Sequence, residues 1–138
     1  MMTEIKMTEI KITDAEKRAV AEEFLAGLKT RDWDRLRAVM TDDIVWTMPG
    51  SSLISGEASG VEAVLARSQQ IVGYGLDFAL NHILIGQYHV ALSLHNTATR
   101  GELKLDESLA TVCFLRDGKI AVIHTFLSDM DGMNAFFV

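Results

Sequence analysis

Within the run VALSLHNTAT, Ser93, His95 and Thr97 occupy alternate positions. Alternate residues of an extended strand share one face, so a strand here would set an imidazole between two hydroxyls. Near neutral pH a histidine can take or give a proton, and a neighbouring hydroxyl can orient the ring or polarise a reacting oxygen. A histidine hydrogen-bonded within a sheet, or facing a partner subunit, would read the same way, so both meanings stand for His95. Thr111 adds a hydroxyl on a second β-rich run, LATVCFL. The chain's one cysteine, Cys113, excludes an intrachain disulfide, and without a basic neighbour it reads as a small buried hydrophobe rather than a reactive thiol. His82, His89 and His124 have no metal-ligand spacing, and no glycine loop suits a phosphate, so neither metal nor cofactor is expected. Asp42 and Asp43 read as turn residues, and Arg67 and Arg100 as solvated or guarding a pocket mouth.

Positioning these groups requires regular elements, and the sequence punctuates them clearly. Thr13 and Glu16 form a capping-box pattern that starts a helix near Asp14, with Val20, Phe24 and Leu28 on its apolar face. Asp32 caps a second, short helix carrying Trp33, Leu36, Val39 and Met40 inward. A turn at Thr41-Asp42-Asp43 leads to a strand from Ile44 to Met48, which Pro49-Gly50 breaks. A loop then runs to Gly60, and a third helix covers Val61 to Val72. Four strands follow, Phe78–Ile85, His89–Thr99, Lys104–Leu115 and Ile120–Ser128, joined by short turns of which Arg116-Asp117-Gly118-Lys119 is the strongest. Short turns imply antiparallel neighbours, and helices grouped before a meander imply an α+β fold.

A chain of 138 residues, nearly half hydrophobic, suits one domain, expected over residues 13–138. Residues 1–12, with MTEIK twice over, are expected to be a flexible N-terminal segment. The net charge of −6 and scattered basic residues argue against nucleic acid as a partner. No apolar run reaches bilayer-spanning length and no signal-peptide core is present, so no membrane association and a cytoplasmic location are expected. The late strands are apolar on both faces: Ile120, Val122 and Phe126 alternate with Ala121, Ile123 and Leu127. Helices can cover one face, and a homodimer through the outer sheet face would cover the other.

Taken together, the segments EEFLAGLKTRDWDRLRAVMTDDIVWTMPG, SGEASGVEAVL, VALSLHNTATRGELKLDESLATVCFLRDGKI and IAVIHTFLSDM resemble the nuclear transport factor 2-like superfamily. Within it the resemblance is to the SnoaL-like and ketosteroid-isomerase-like branch, over roughly Asp14 to Asp129. It implies a conical, curved antiparallel sheet packed on about three helices around an apolar pocket, and commonly a homodimer. Members include isomerases, polyketide cyclases, epoxide hydrolases and non-catalytic domains, because one fold hosts many chemistries. The isomerases' tyrosine, base aspartate and protonated aspartate correspond here to Phe24, Met48 and Thr111, so that machinery is not carried over. The epoxide hydrolase pattern of one arginine and two aspartates falls near Ser93, His95 and Thr125, and is likewise unmatched.

On this resemblance the pocket is expected to be lined by Phe24, Leu28, Trp46, Met48, Ser93, His95, Thr111, Cys113, Ile123, Thr125 and Leu127, with no carboxylate among them. Such a wall suits a small apolar ligand with one or two polar handles. The leading expectation is cofactor-independent acid/base chemistry, an isomerisation, cyclisation or hydrolysis of a polyketide- or terpenoid-like molecule. His95 would transfer the proton, and Thr111 or Ser93 would polarise the substrate. The alternative is a non-catalytic binding or dimerisation domain of the same fold.

Overall fold

The chain builds its helices where local signals place them. The structure, a computed structural model, describes residues 12–138; the MTEIK repeat and all but the last residue of the expected flexible segment lie outside the described residues. Helix α1 (Asp14–Thr30) opens on a complete capping box: Glu16 N–H donates to Thr13 Oγ1 over 3.1 Å, and Thr13 N–H donates to Glu16 Oε1 over 2.8 Å. Helix α2 (Trp33–Ala38) is capped by Asp32, which accepts from Arg35 N–H. After β1 (Met40–Met48) and β2 (Gly56–Ser59) comes helix α3 (Val61–Gly73). Strands β3 (Asp77–Ile85), β4 (His89–Arg100), β5 (Leu103–Arg116) and β6 (Lys119–Leu127) form the meander, and α4 (Met130–Phe136) follows it.

The six strands form one curved, open sheet in the order β2-β1-β6-β5-β4-β3. All neighbours are antiparallel except β1 and β6, which pair in parallel. No hairpin joins β1 to β6, so no short turn forces them antiparallel. Register shifts interrupt the ladders between Leu80 and His82, between Phe114 and Leu115, and between Met40 and Val45. Such irregularities bend and twist a sheet locally. The third of them absorbs Thr41, Asp42 and Asp43, which therefore belong to a strand rather than the expected turn.

Two elements lie beyond the expected set. Strand β2 occupies the stretch read as loop, and its four residues are too few to show a period. Helix α4 is only 7 residues long, and a helix so short depends on tertiary packing. Its Met133 and Phe136 are buried in the core. Helices α1 and α3 cover the concave face, where Phe24, Leu28, Val64 and Ile71 meet Trp46, Leu92, Leu94 and Ile123 of the sheet. The convex face stays partly open in the single chain. Phe126 there is 56% exposed, and the Phe114 ring lies beside the rings of His89 and His124, with centroids 4.3 and 5.5 Å away. No described helix is long and apolar enough to cross a membrane.

Candidate functional site

A cavity lies between the concave face and the helices. Its walls include Phe24 and Leu28 of α1, Trp46 and Met48 of β1, Leu127 of β6, and Met133 of α4. The side chains that carry polar atoms to it are Trp46, Asn96, Glu107, Thr111 and Thr125. The cavity volume is about 50 Å³, room for a few waters.

Strand pairing decides which residues reach this space. In β4 the buried positions are Val90, Leu92, Leu94 and Asn96, while Ser93 and His95 alternate onto the convex face. This corrects the expected facing of both residues: neither borders the cavity. The His95 side chain is 43% exposed and its Nε2 contacts the carboxylate of the well-exposed Asp106. A shift of one residue exchanges the two faces of a strand, and the phase implied for β4 by the family resemblance is one residue out. The alternation Val90-Leu92-Leu94 against Ala91-Ser93-His95 carried the correct face, with the larger apolar residues inward. Of the other expected wall residues, Phe24, Leu28, Trp46, Met48, Thr111, Thr125 and Leu127 line the cavity. Cys113 and Ile123 do not. They pair with each other and are fully buried on the concave side, in solid core. Burial pushes the Cys113 thiol up to about 12.

The expectation of a pocket without a carboxylate is also corrected. Residues 105, 107, 109, 111 and 113 of β5 point one way by period two, which carries Glu107 inward although Asp106 beside it is exposed. Extending the inward assignment of Thr111 and Cys113 back along the strand would have found it. Glu107 is 3% exposed. Its Oε2 accepts from Ser128 Oγ over 3.0 Å and from Asp129 N–H over 2.6 Å. Asp129 is also the N-cap of α4, accepting from Gly132 N–H over 2.9 Å, so one carboxylate oxygen ties β5 to the start of that helix. The other oxygen, Oε1, is buried and has no hydrogen-bond partner among the described residues. Directly opposite Glu107 on β4 is Asn96, 6% exposed, whose Oδ1 is also buried and unpartnered. Two acceptor oxygens on cross-strand neighbours therefore stand without donors at one end of the cavity.

Four residues further along β5, Thr111 pairs with Thr125 of β6. At roughly 3.3 Å per residue the two polar stations are about 13 Å apart along the strand. Thr125 Oγ1 accepts from Trp46 Nε1–H over 2.9 Å, so Trp46 is fixed in the wall. Arg67 of α3 lies behind Trp46, its guanidinium 5.5 Å from the indole centroid. It donates to the Trp46 carbonyl over 2.9 Å and to the Ser55 carbonyl over 3.3 Å. Burial lowers its affinity for the proton. Arg67 is thus buried, not solvated. Arg100 binds the end of the chain: it donates to the Phe136 carbonyl over 2.7 Å and stacks on Tyr74 at 4.7 Å. Asn134 Oδ1 accepts from Ser51 N–H over 2.8 Å, so the loop after β1 also holds α4 over the cavity.

The profile of the SnoaL-like domain matches residues 21–123. Among solved structures, Bal32a from a soil-derived mobile gene cassette superposes with a TM-score of 0.85 at 23% identity, covering 90% of this chain and 98% of that one. An LEH-like epoxide hydrolase from M. tuberculosis gives 0.71 at 21% identity, over 89% and 90% of the two chains. An NTF2-like protein from Burkholderia xenovorans LB400 gives 0.80 at 18% identity, over 91% and 98%. A search of the curated proteins finds no significant match. At these identities the likeness establishes the fold, while the chemistry must come from this chain's own residues.

Proposed function

Because this chain belongs to the SnoaL-like domain family, of nuclear transport factor 2-like fold, we propose that its cavity takes up a small apolar molecule and that Glu107, in place of His95, exchanges a proton with it. The observation that carries this reading is the buried, unpartnered Glu107 Oε1 on an otherwise largely apolar wall. A carboxylate held through one oxygen and free at the other is oriented for proton transfer without a cofactor. In an isomerisation or cyclisation Oε1 would receive a proton from the ligand and return it at another atom; in a hydrolysis it would receive the proton of the attacking water and return it to the leaving oxygen. Thr111, at the far station, would hydrogen-bond an oxygen of the ligand and polarise it. An elongated polyketide- or terpenoid-like molecule with polar atoms at both ends would span the two stations.

The free space of about 50 Å³ supports a second reading, a non-catalytic binding domain or a self-filled core. Uptake of a ligand of several rings requires the flexible side chains of Met48 and Met133 to move aside, as methionine does at low cost. In either reading the protein works in the cytoplasm as a homodimer. Its half-exposed convex face, with Phe126 and the Phe114 cluster, supports the dimer. Native mass spectrometry of protein taken from cells tests uptake directly. A retained small molecule, displaced when Met48 is replaced by Trp, is the expected result. Protein without retained mass, whose Met48 and Met133 methyl signals ignore a panel of apolar compounds, would leave the self-filled core.

A further inference from the structure

The same two oxygens constrain the ligand's chemistry. Asn96 Oδ1 and Glu107 Oε1 are both acceptors, both buried, and both without a donor among the described residues. They stand on directly paired positions of β4 and β5, where Cβ atoms are about 5 Å apart. No described basic side chain forms an ion pair with Glu107: the acidic partners of the described pairs are Asp14, Glu23, Asp43, Glu62 and Asp106. The donors at Oε2 are a hydroxyl and a backbone amide, which bring no charge. A buried acceptor left unpaired is costly, and here two neighbouring residues each carry one.

We infer that the ligand presents a hydrogen-bond donor, a hydroxyl or an amine, to the paired oxygens of Asn96 and Glu107, and that carboxylates and bare carbonyl compounds are rejected there. A ligand O–H or N–H replaces the missing donor, while a carbonyl or carboxylate would set an acceptor against acceptors. Rejection of the wrong polarity is the strong form of selectivity, because the site's own buried groups stay unpaired when the wrong ligand enters. A protonated amine has a further advantage. It offers two or more donors from one atom and neutralises the buried carboxylate. The inference rests on the cavity being a ligand site.

The test uses one skeleton with five polar ends: toluene, benzyl alcohol, benzylamine, benzaldehyde and benzoate. Each is titrated into the full chain while the methyl signals of Met48 and Met133 are followed by NMR. The alcohol and the amine are expected to bind at least about tenfold more tightly than the aldehyde and benzoate, the size of effect that one unpaired buried group produces. In Glu107→Gln the new amide supplies a donor, so the aldehyde should gain on the alcohol and the amine should lose its advantage. Asn96→Leu removes one acceptor and should narrow the alcohol's margin without changing the amine's pairing with Glu107. If toluene, aldehyde and alcohol all bind alike, the donor inference is overturned and the cavity reading survives, with Asn96 satisfying Glu107 internally. If none of the five shifts either methyl signal, the cavity reading falls and this inference with it.

Discussion

Replacing Glu107 separates its two roles. Glu107→Ala removes the acceptor for Ser128 Oγ and for Asp129 N–H, two donors on exposed residues where water can partly take its place. Each lost hydrogen bond costs about 0.5–1.5 kcal/mol where water can replace the partner, and the void adds on the order of 1 kcal/mol, so the loss should be about 2–4 kcal/mol. Near 4 °C per kcal/mol for a chain of this size, the melting temperature should fall by roughly 8–16 °C. Glu107→Gln keeps an oxygen for the same two donors and turns an amide N–H toward Asn96 Oδ1. It loses charge assistance at two hydrogen bonds, about 1 kcal/mol each, and regains a comparable amount by pairing Asn96. Its melting temperature should stay within roughly 4 °C of the wild type. An amide cannot accept a proton, so turnover of any compound the wild type converts should drop at least about 100-fold. Thermal denaturation of the three proteins side by side, with turnover measured on the same samples, reads both effects. A Gln variant that melts as low as the Ala variant would refute the hydrogen-bond account. A Gln variant that turns over normally would refute Glu107 as the proton-transfer group.

Cys113 is predicted to resist thiol reagents in the folded protein. With its thiol pushed up to about 12, roughly one molecule in ten thousand carries a thiolate at pH 8, and labelling should appear only with denaturant. Thr125→Val strands the Trp46 indole N–H and should cost about 1–3 kcal/mol in denaturant melts, with a change in tryptophan emission; an unchanged midpoint would mean that the Trp46–Thr125 bond contributes nothing net. Phe126→Arg places a charge on the convex face, and sedimentation should shift toward monomer with the fold retained; a monomeric wild type at micromolar concentration would refute the dimer outright. His95→Ala is predicted to leave melting temperature and ligand binding nearly unchanged, since its one ion-pair partner, Asp106, is itself well exposed.

The sequence by itself determined the elements whose signals are local. The Thr13–Glu16 capping box, the Asp32 cap and the Asp117-Gly118 turn act over three or four residues, so they fold as they read. The grouping of helices before a meander was legible for the same reason, and it implied the α+β architecture. The family resemblance, rather than any local signal, placed Thr111, Thr125 and Leu127 in the pocket wall. What local signals could not fix is which of two faces turns inward when both carry apolar residues, because period two is symmetric and the partner across the ladder sets the phase. In β4 the larger Val90, Leu92 and Leu94 mark the inward face, and the pairing of Leu92 with Thr111 and of Asn96 with Glu107 locks that phase, sending His95 outward. The parallel meeting of β1 with β6 and the seating of α4 are likewise tertiary: no short connection dictates the first, and a helix of 7 residues has too few internal hydrogen bonds to form without a surface to pack on. The candidate site inherits that dependence. Asn96 and Glu107 lie eleven residues apart in the chain, and only the β4–β5 register brings their unpartnered oxygens to the same end of one cavity.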